Sequence, residues 1–172
     1  MNVDTRWLSP EQLAAWVRLA AVLEQLPAAL DTQLRRDADL THFDYFVLAM
    51  LSEAPERTLR MTTLAEHTTA TLPRLSHVVQ RLESRGLVER FPCPQDRRAT
   101  NARLTGAGWE KVEEAAPGHV DTVREYVIDA LTPQQVIELA AISDAILHRL
   151  DPERARAAVY ERYDPPAGNA RG

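Results

Sequence analysis

Apolar residues keep a three-to-four-residue period along most of this chain, and the period breaks only in the middle third. After Ser9, the residues Leu13, Trp16, Val17, Ala20, Leu23, Leu30 and Leu34 stay on one face to about Arg36, which predicts a long amphipathic helix with a kink expected at Pro27. Phe43, Phe46, Val47, Met50, Leu51 and Ala54 predict a second helix that starts at Thr41 and stops at Pro55. A third long helix is expected from Thr105, with Trp109, Val112, Ala116, Val120, Val123 and Val127 inward, and Pro117–Gly118 should bend it. Val136, Leu139, Ala140, Ile146, Leu147 and Leu150 line the last helix. "SPEQ" (Ser9 to Gln12) and "TPQQ" (Thr132 to Gln135) open the first and last helices. Each is a hydroxyl cap, a proline whose missing N–H costs nothing, and a Gln that reaches back to the cap. From Asp164 the tail "DPPAGNARG" is expected to fray.

The middle third divides more finely. Thr63 and Glu66 are expected to form a capping box on a short helix whose Leu64–Ala65 pair faces inward. "TTAT" breaks the pattern, and Thr71 caps a second helix with Pro73 in its first turn. Leu75, Val78, Val79 and Leu82 form the buried stripe of that helix, and Gly86 ends it. The opposite face carries Arg74, Ser76, His77, Gln80 and Arg81, groups able to bond base edges or phosphates. A strand through Leu87, Val88 and Phe91, a turn at "PQD", and a returning strand "RRATNARL" make a hairpin directly after this helix–turn–helix. Such a hairpin is a wing, whose tip can lie along DNA and insert arginine into the minor groove. Asp96 stands two residues before Arg98 and is expected to orient its guanidinium.

Charge sharpens this picture. The chain of 172 residues has a formal net charge of −5. Yet Arg57 to Arg103 carries nine arginines (57, 60, 74, 81, 85, 90, 97, 98, 103) against four acids (66, 83, 89, 96), or +5, so the remainder is −10. A basic module in an acidic frame is what a local polyanion contact requires.

The string "LAEHTTATLPRLSHVVQRLESRGLVERFPCPQDRRATNARLTGAG" resembles the winged helix–turn–helix of the MarR family of transcriptional regulators. The matching elements are the "LA" of the short helix, "RLESRGLVER", the "DRR" of the wing, and "LTGAG" opening the next helix. The resemblance runs from Ser9 to about Leu150. It implies a homodimer on double-stranded DNA at a pseudopalindromic operator, usually as a repressor. Arg98 would be the minor-groove arginine, with Asp96 and Arg97 beside it. Thr71, Arg74, Ser76, His77, Gln80 and Arg81 would form the recognition helix face. The fold expected is mainly α with a small β-hairpin wing. Residues 9–37 form an N-terminal dimerisation helix, 41–104 the DNA-binding domain, 105–163 the C-terminal dimerisation helices, and 164–172 a flexible tail.

The resemblance also implies an effector pocket, for a small aromatic or other small molecule, between the dimer helices and the DNA-binding module. Trp16, Phe43, Tyr45, Phe46 and His119 could line it, although aromatics at helical spacing equally serve as core. The single cysteine, Cys93, sits on the wing strand and reads as an inert small residue, although its oxidation could disturb the wing. None of the five histidines pairs at i+3 or i+4, although His42 and His119 could meet in space. No metal or other cofactor is expected. No nucleophile elbow or phosphate loop is present, so no enzyme is expected. No uninterrupted apolar run approaches the roughly 20 residues of a membrane span, and the N-terminus lacks a signal-peptide pattern, so a cytoplasmic protein without a membrane partner is expected. The alternative to DNA is a winged helix that binds protein; it predicts acidic or apolar groups where Arg74, Gln80 and Arg81 stand.

Overall fold

The computed structural model describes residues 5–94 and 96–151. The expected flexible tail and the end of the last dimerisation segment, 152–163, lie outside the described residues. The helices are α1 (Pro10–Ala38), α2 (His42–Ser52), α3 (Met61–His67), α4 (Leu72–Ser84), α5 (Gly106–Val123) and α6 (Pro133–Leu150). The strands are β1 (Thr58–Arg60), β2 (Val88–Cys93) and β3 (Asp96–Leu104), in the antiparallel order β1-β3-β2.

Helix starts fall where the caps predicted them. Ser9 and Thr132 close full capping boxes with Gln12 and Gln135. Thr41 does the same with Asp44, and Thr71 and Thr105 each accept one N–H of the first turn. The short helix is the exception. It starts at Met61 after Arg60, with no side-chain cap, so Thr63 lies inside it and forms no box with Glu66. The cause is β1, which pairs with β3 through Arg60 and hands the chain straight into α3. β1 itself was not expected, because three residues carry too little alternation to register.

Leu34, Leu40, Val47, Leu48, Leu51, Leu64, Leu75, Val79, Leu82, Val88, Ala102 and Leu104 form one buried cluster, joined by Val112 and Ala115 of α5. Burying each leucine there stabilises the fold by about 1.5–3 kcal/mol. α5 runs unbroken through Pro117, contrary to the expected interruption. It packs against both α1 and α2, and this bedding overrides the lost backbone bond. The irregularity falls later, as a π-helical turn at Arg124–Ile128. Gly118 lets α5 approach α1, since a Cβ there would stand 3.1 Å from Nε2 of Gln33.

Only the C-terminal part of α1 enters this core, through Leu30, Gln33, Leu34 and Ala38. Leu13, Trp16, Val17 and Leu23 are exposed, as are Val120 of α5 and Ile137, Leu139, Ile142, Ile146 and Leu150 of α6. By length and composition alone α1 could cross a membrane, a test that core helices also pass. An apolar trough of about 880 Å³ runs between α1 and the α5–α6 corner, lined by Val22, Leu26, Tyr126, Leu131 and Leu139 among others.

The corner of β2 and α5 has no spare room. A Cβ on Gly108 would meet the Leu87 carbonyl oxygen at 2.1 Å and Leu104 Cδ1 at 2.6 Å, whereas one on Gly106 would meet nothing within 4 Å. Gly108→Ala is expected to cost about 3 kcal/mol or more. Gly106→Ala should be neutral or stabilising by up to about 1 kcal/mol. Urea unfolding midpoints of the two variants provide the check.

Candidate nucleic-acid interface

α4 owes its placement to its two ends and its buried stripe. Thr71 Oγ1 accepts the N–H of Arg74, and Gly86, at φ +72°, supplies the left-handed residue that turns the chain into β2. Leu75, Val78, Val79 and Leu82 are buried, which turns Thr71, Arg74, His77, Gln80 and Arg81 outward, with Ser76 half-buried. The helix is therefore pinned by its apolar face and presents the predicted polar one.

The nine arginines of the basic segment divide into two groups. Six are engaged within the chain. Arg57 lies 3.9 Å from the centre of the Trp109 ring, and Arg74 lies 4.3 Å from that of Phe43. Arg81 bonds Asp44 at 2.5 Å, Arg85 bonds Asp39 at 3.2 Å, Arg90 bonds Glu83 at 2.6 Å and Arg103 bonds Glu89 at 2.6 Å. The Arg90 guanidinium also holds the Glu83 carboxyl below the usual carboxylate range. Among the described residues, Arg60, Arg97 and Arg98 make no side-chain ion pair or ring contact, and all three are exposed. The available positive charge is thus concentrated on the wing and on the strand beside it.

The wing hairpin turns at Cys93–Asp96, with a register shift between Pro92 and Cys93. Asp96 does not hold the Arg98 guanidinium as expected. Its Oδ1 accepts the backbone N–H of Arg98 at 3.0 Å. A carboxylate two residues upstream reaches the main chain more readily than the end of a long side chain, as in Asx turns. Asp96 fixes the tip's backbone, and the guanidinium is left available. Cys93 is buried in the strand.

α4 and the wing meet at a cleft of about 210 Å³ lined by Met61, Thr62, Leu72, Ser76, Arg90, Arg98, Ala99 and Thr100. It brings predicted Ser76 and Arg98 to one place. Thr62, Arg90 and Thr100 were not singled out from the sequence. Arg90 was legible only as part of the basic count; the position of Thr62 follows from the unexpected β1–α3 junction, and Thr100, although on the expected returning strand, carries no signal of its own.

The predicted effector-pocket residues divide. His119 lies against Tyr45, ring centres 4.5 Å apart, and 6.0 Å from His42. Phe43 and Phe46 pack on the core. Trp16 joins none of them within one chain: it is exposed and lies 17 residues before Gln33, about 25 Å along α1. Gln33 sits beside Gly118, the neighbour of His119. Gln33 Oε1 and His119 Nδ1 are buried with no hydrogen-bond partner among the described residues. Burial lowers the pKa of both histidines, and for His119 the nearby His42 adds to it. Among the described residues no three His, Cys, Asp or Glu side chains come together as a metal site would need.

A short helix, a turn, an outward polar helix and a hairpin tipped with unpaired arginines define a winged helix–turn–helix protein. The MarR family model matches residues 40–100. The chain is 43% identical to the MarR family transcriptional regulator Sco3205 of Streptomyces coelicolor, whose structure was solved in complex with DNA; the match covers 90% of this chain and 97% of that one, at a TM-score of 0.85. It is 31% identical to the transcriptional regulator FarR of Neisseria gonorrhoeae over 72% of this chain and 90% of that protein. It is 28% identical to the transcriptional repressor IacR of Pseudomonas putida over 69% of this chain and 70% of that protein. The chain belongs to the MarR family of transcriptional regulators.

The histidine pair gives the fold a pH dependence of known sign. Both folded-state pKa values lie below the ordinary 6.5, so the unfolded chain binds protons first as pH falls. The stability held by the neutral rings is complete above about pH 6.5 and is lost below it. Urea midpoints between pH 7.5 and 5 should decline, and His119→Gln should flatten that decline. An unchanged slope in the variant counts against the assignment.

Proposed function

We propose that this regulator binds a pseudopalindromic operator as a homodimer and represses transcription from it. The observation that carries the reading is the pair of unpaired, exposed arginines, Arg97 and Arg98, at the tip of a wing whose cleft also holds Ser76 of α4. α4 enters the major groove and reads it with Thr71, Arg74, Ser76, His77 and Gln80. Arg98 enters the adjacent minor groove, and Asp96 keeps the tip in the shape that aims it. Repression is supported by the similarity to IacR, a transcriptional repressor, and DNA as the partner by the complex formed by Sco3205.

The dimer forms through 9–37 and 105–163, where one chain leaves the apolar faces of α1 and α6 exposed. These segments act as a dimerisation unit and 41–104 as the DNA-binding domain. A small aromatic acid or similar effector binds beside Tyr45, His119 and Gln33, between that unit and α2, where Gln33 Oε1 and His119 Nδ1 are buried without a hydrogen-bond partner among the described residues. Its arrival changes the angle between the two DNA-binding domains, and DNA is released.

Fluorescence anisotropy against the region upstream of the gene and a scrambled duplex, at two salt concentrations, tests the reading. Preference for the former by about 10³-fold or more, falling steeply with salt, is expected. Equal weak binding to every genomic fragment would favour a protein-binding winged helix instead. Arg98→Ala is expected to weaken operator binding by about 1–3 kcal/mol while leaving the dimer intact by light scattering. Unchanged affinity removes Arg98 from the interface. A monomer at micromolar concentration removes the role given to α1 and α6.

A further inference from the structure

Arg81 of α4 and Arg85 at its C-cap follow Arg74 by 7 and 11 residues, which places all three within about 20° of one direction around the helix. All three end on one short stretch, Asp39–Asp44, where α1 turns into α2. Arg74 stacks on Phe43. Arg85 donates to the Asp39 carbonyl at 2.9 Å and to its carboxylate at 3.2 Å. Arg81 donates Nη2 to Asp44 Oδ1 at 2.5 Å.

The three ties differ in weight. The Asp39 side chain is 96% exposed and that of Asp44 only 3%. A buried carboxylate is costly unless each oxygen has a partner. Asp44 has two: Oδ2 accepts the Thr41 N–H at 3.0 Å, and Oδ1 accepts Arg81. If Arg81 left to read a base, Asp44 would remain buried without the one ion-pair partner it has among the described residues. Arg81 is half exposed and has other donors, yet its place is set by Asp44.

We infer that Arg81 is a positioning residue, not a base reader: its bond to Asp44 sets the rotation of α4 about its axis and so decides which side chains of Thr71–Gln80 face the bases. This rests on the reading of α4 as the recognition helix. Loss of the pair lets α4 turn about its buried stripe. Contacts that need exact facing, those to base edges, suffer, while phosphate contacts from the wing persist. The role therefore concerns discrimination more than overall attraction to DNA.

The experiment uses the full chain and two duplexes of equal composition, one enriched from genomic fragments by the wild-type protein and one scrambled. Asp44→Asn, which keeps shape and removes charge, is compared with Arg81→Gln, Arg81→Lys and the double variant Asp44→Asn/Arg81→Gln. Melting temperature and light scattering identify variants that remain folded dimers, and Arg81→Lys and Asp44→Asn carry the test if Arg81→Gln does not fold. Each single substitution of the pair should lower the ratio of specific to scrambled binding about tenfold, and the double should be no worse than the poorer single. Arg81→Lys should restore part of the ratio. Binding to the scrambled duplex and its salt slope should stay unchanged.

Two results overturn the inference. If Arg81→Gln weakens both duplexes alike and lowers the salt slope by about 1 while Asp44→Asn does neither, Arg81 is a phosphate contact. If Arg81→Gln relaxes preference at a single base pair and Asp44→Asn leaves every position intact, Arg81 reads that base. A wild-type protein unable to enrich any duplex removes the recognition-helix reading first, and this role with it.

Discussion

A buried carboxylate has to be satisfied wherever the chain puts it, and Asp44 is put at the first turn of α2, 3% exposed. One oxygen closes the helix cap with Thr41 and the other reaches across to α4. The same turn receives the end of α1, where the N–H of His42 bonds Asp31, and it supplies the ring under Arg74. Three elements are therefore referenced to one corner. Apolar packing brings α1, α2 and α4 together but tolerates sliding and rotation, because dispersion and area burial are not directional. The charged bond is directional. As inferred for Arg81, it sets the angle between α4 and the rest of the chain; α4 is tied onward to the wing at Gly86, whose carbonyl accepts the Thr105 hydroxyl.

The long helices meet the opposite difficulty. α1 and α6 carry apolar stripes that the described residues leave largely uncovered; no residue of α6 is buried. Exposed apolar area of this kind is characteristic of association surfaces. In the proposed dimer a second copy covers it, and the two recognition helices acquire a fixed separation, which a two-fold operator requires. Tyr45 and His119 meet where α5 packs on α2, between the proposed dimerisation unit and the α2–α4 corner. The effector proposed for that place would act on geometry that DNA also measures, so differential binding to two arrangements would be enough to couple them.

What could be read from the sequence was whatever is decided locally. The caps at Ser9, Thr41, Thr71, Thr105 and Thr132 each depend on residues within one turn, and all five stand as N-caps. Gly86 is similar, since a positive φ after a helix needs no distant partner to be recognised. β1 is different: three residues become a strand only because β3 lies beside them, and once it exists the start of α3 moves from Thr63 to Met61. Pro117 was read as an interruption from its own chemistry, but the packing of α5 on α1 and α2 decided otherwise. Asp96 was assigned to the correct residue and the wrong atom, because spacing of two positions does not distinguish the Arg98 side chain from its backbone N–H.

The basic segment shows the same division in its energetics. A count of +5 suggested a positive surface, yet six of its nine arginines are held by rings or carboxylates within the chain. Composition records charge but not its employment, and an arginine 37 residues from its aspartate cannot be seen to be engaged. Partition by engagement separates two tasks that net charge merges. Paired arginines along α4 and β2 give the module its shape, which costs a DNA ligand nothing to reorganise. Among the described residues, those at the wing are unpaired and exposed, which leaves their donors for the proposed phosphate and groove contacts. Most of the segment's charge is already spoken for, and the proposed contact with a polyanion falls to a few cations on a frame that the others hold.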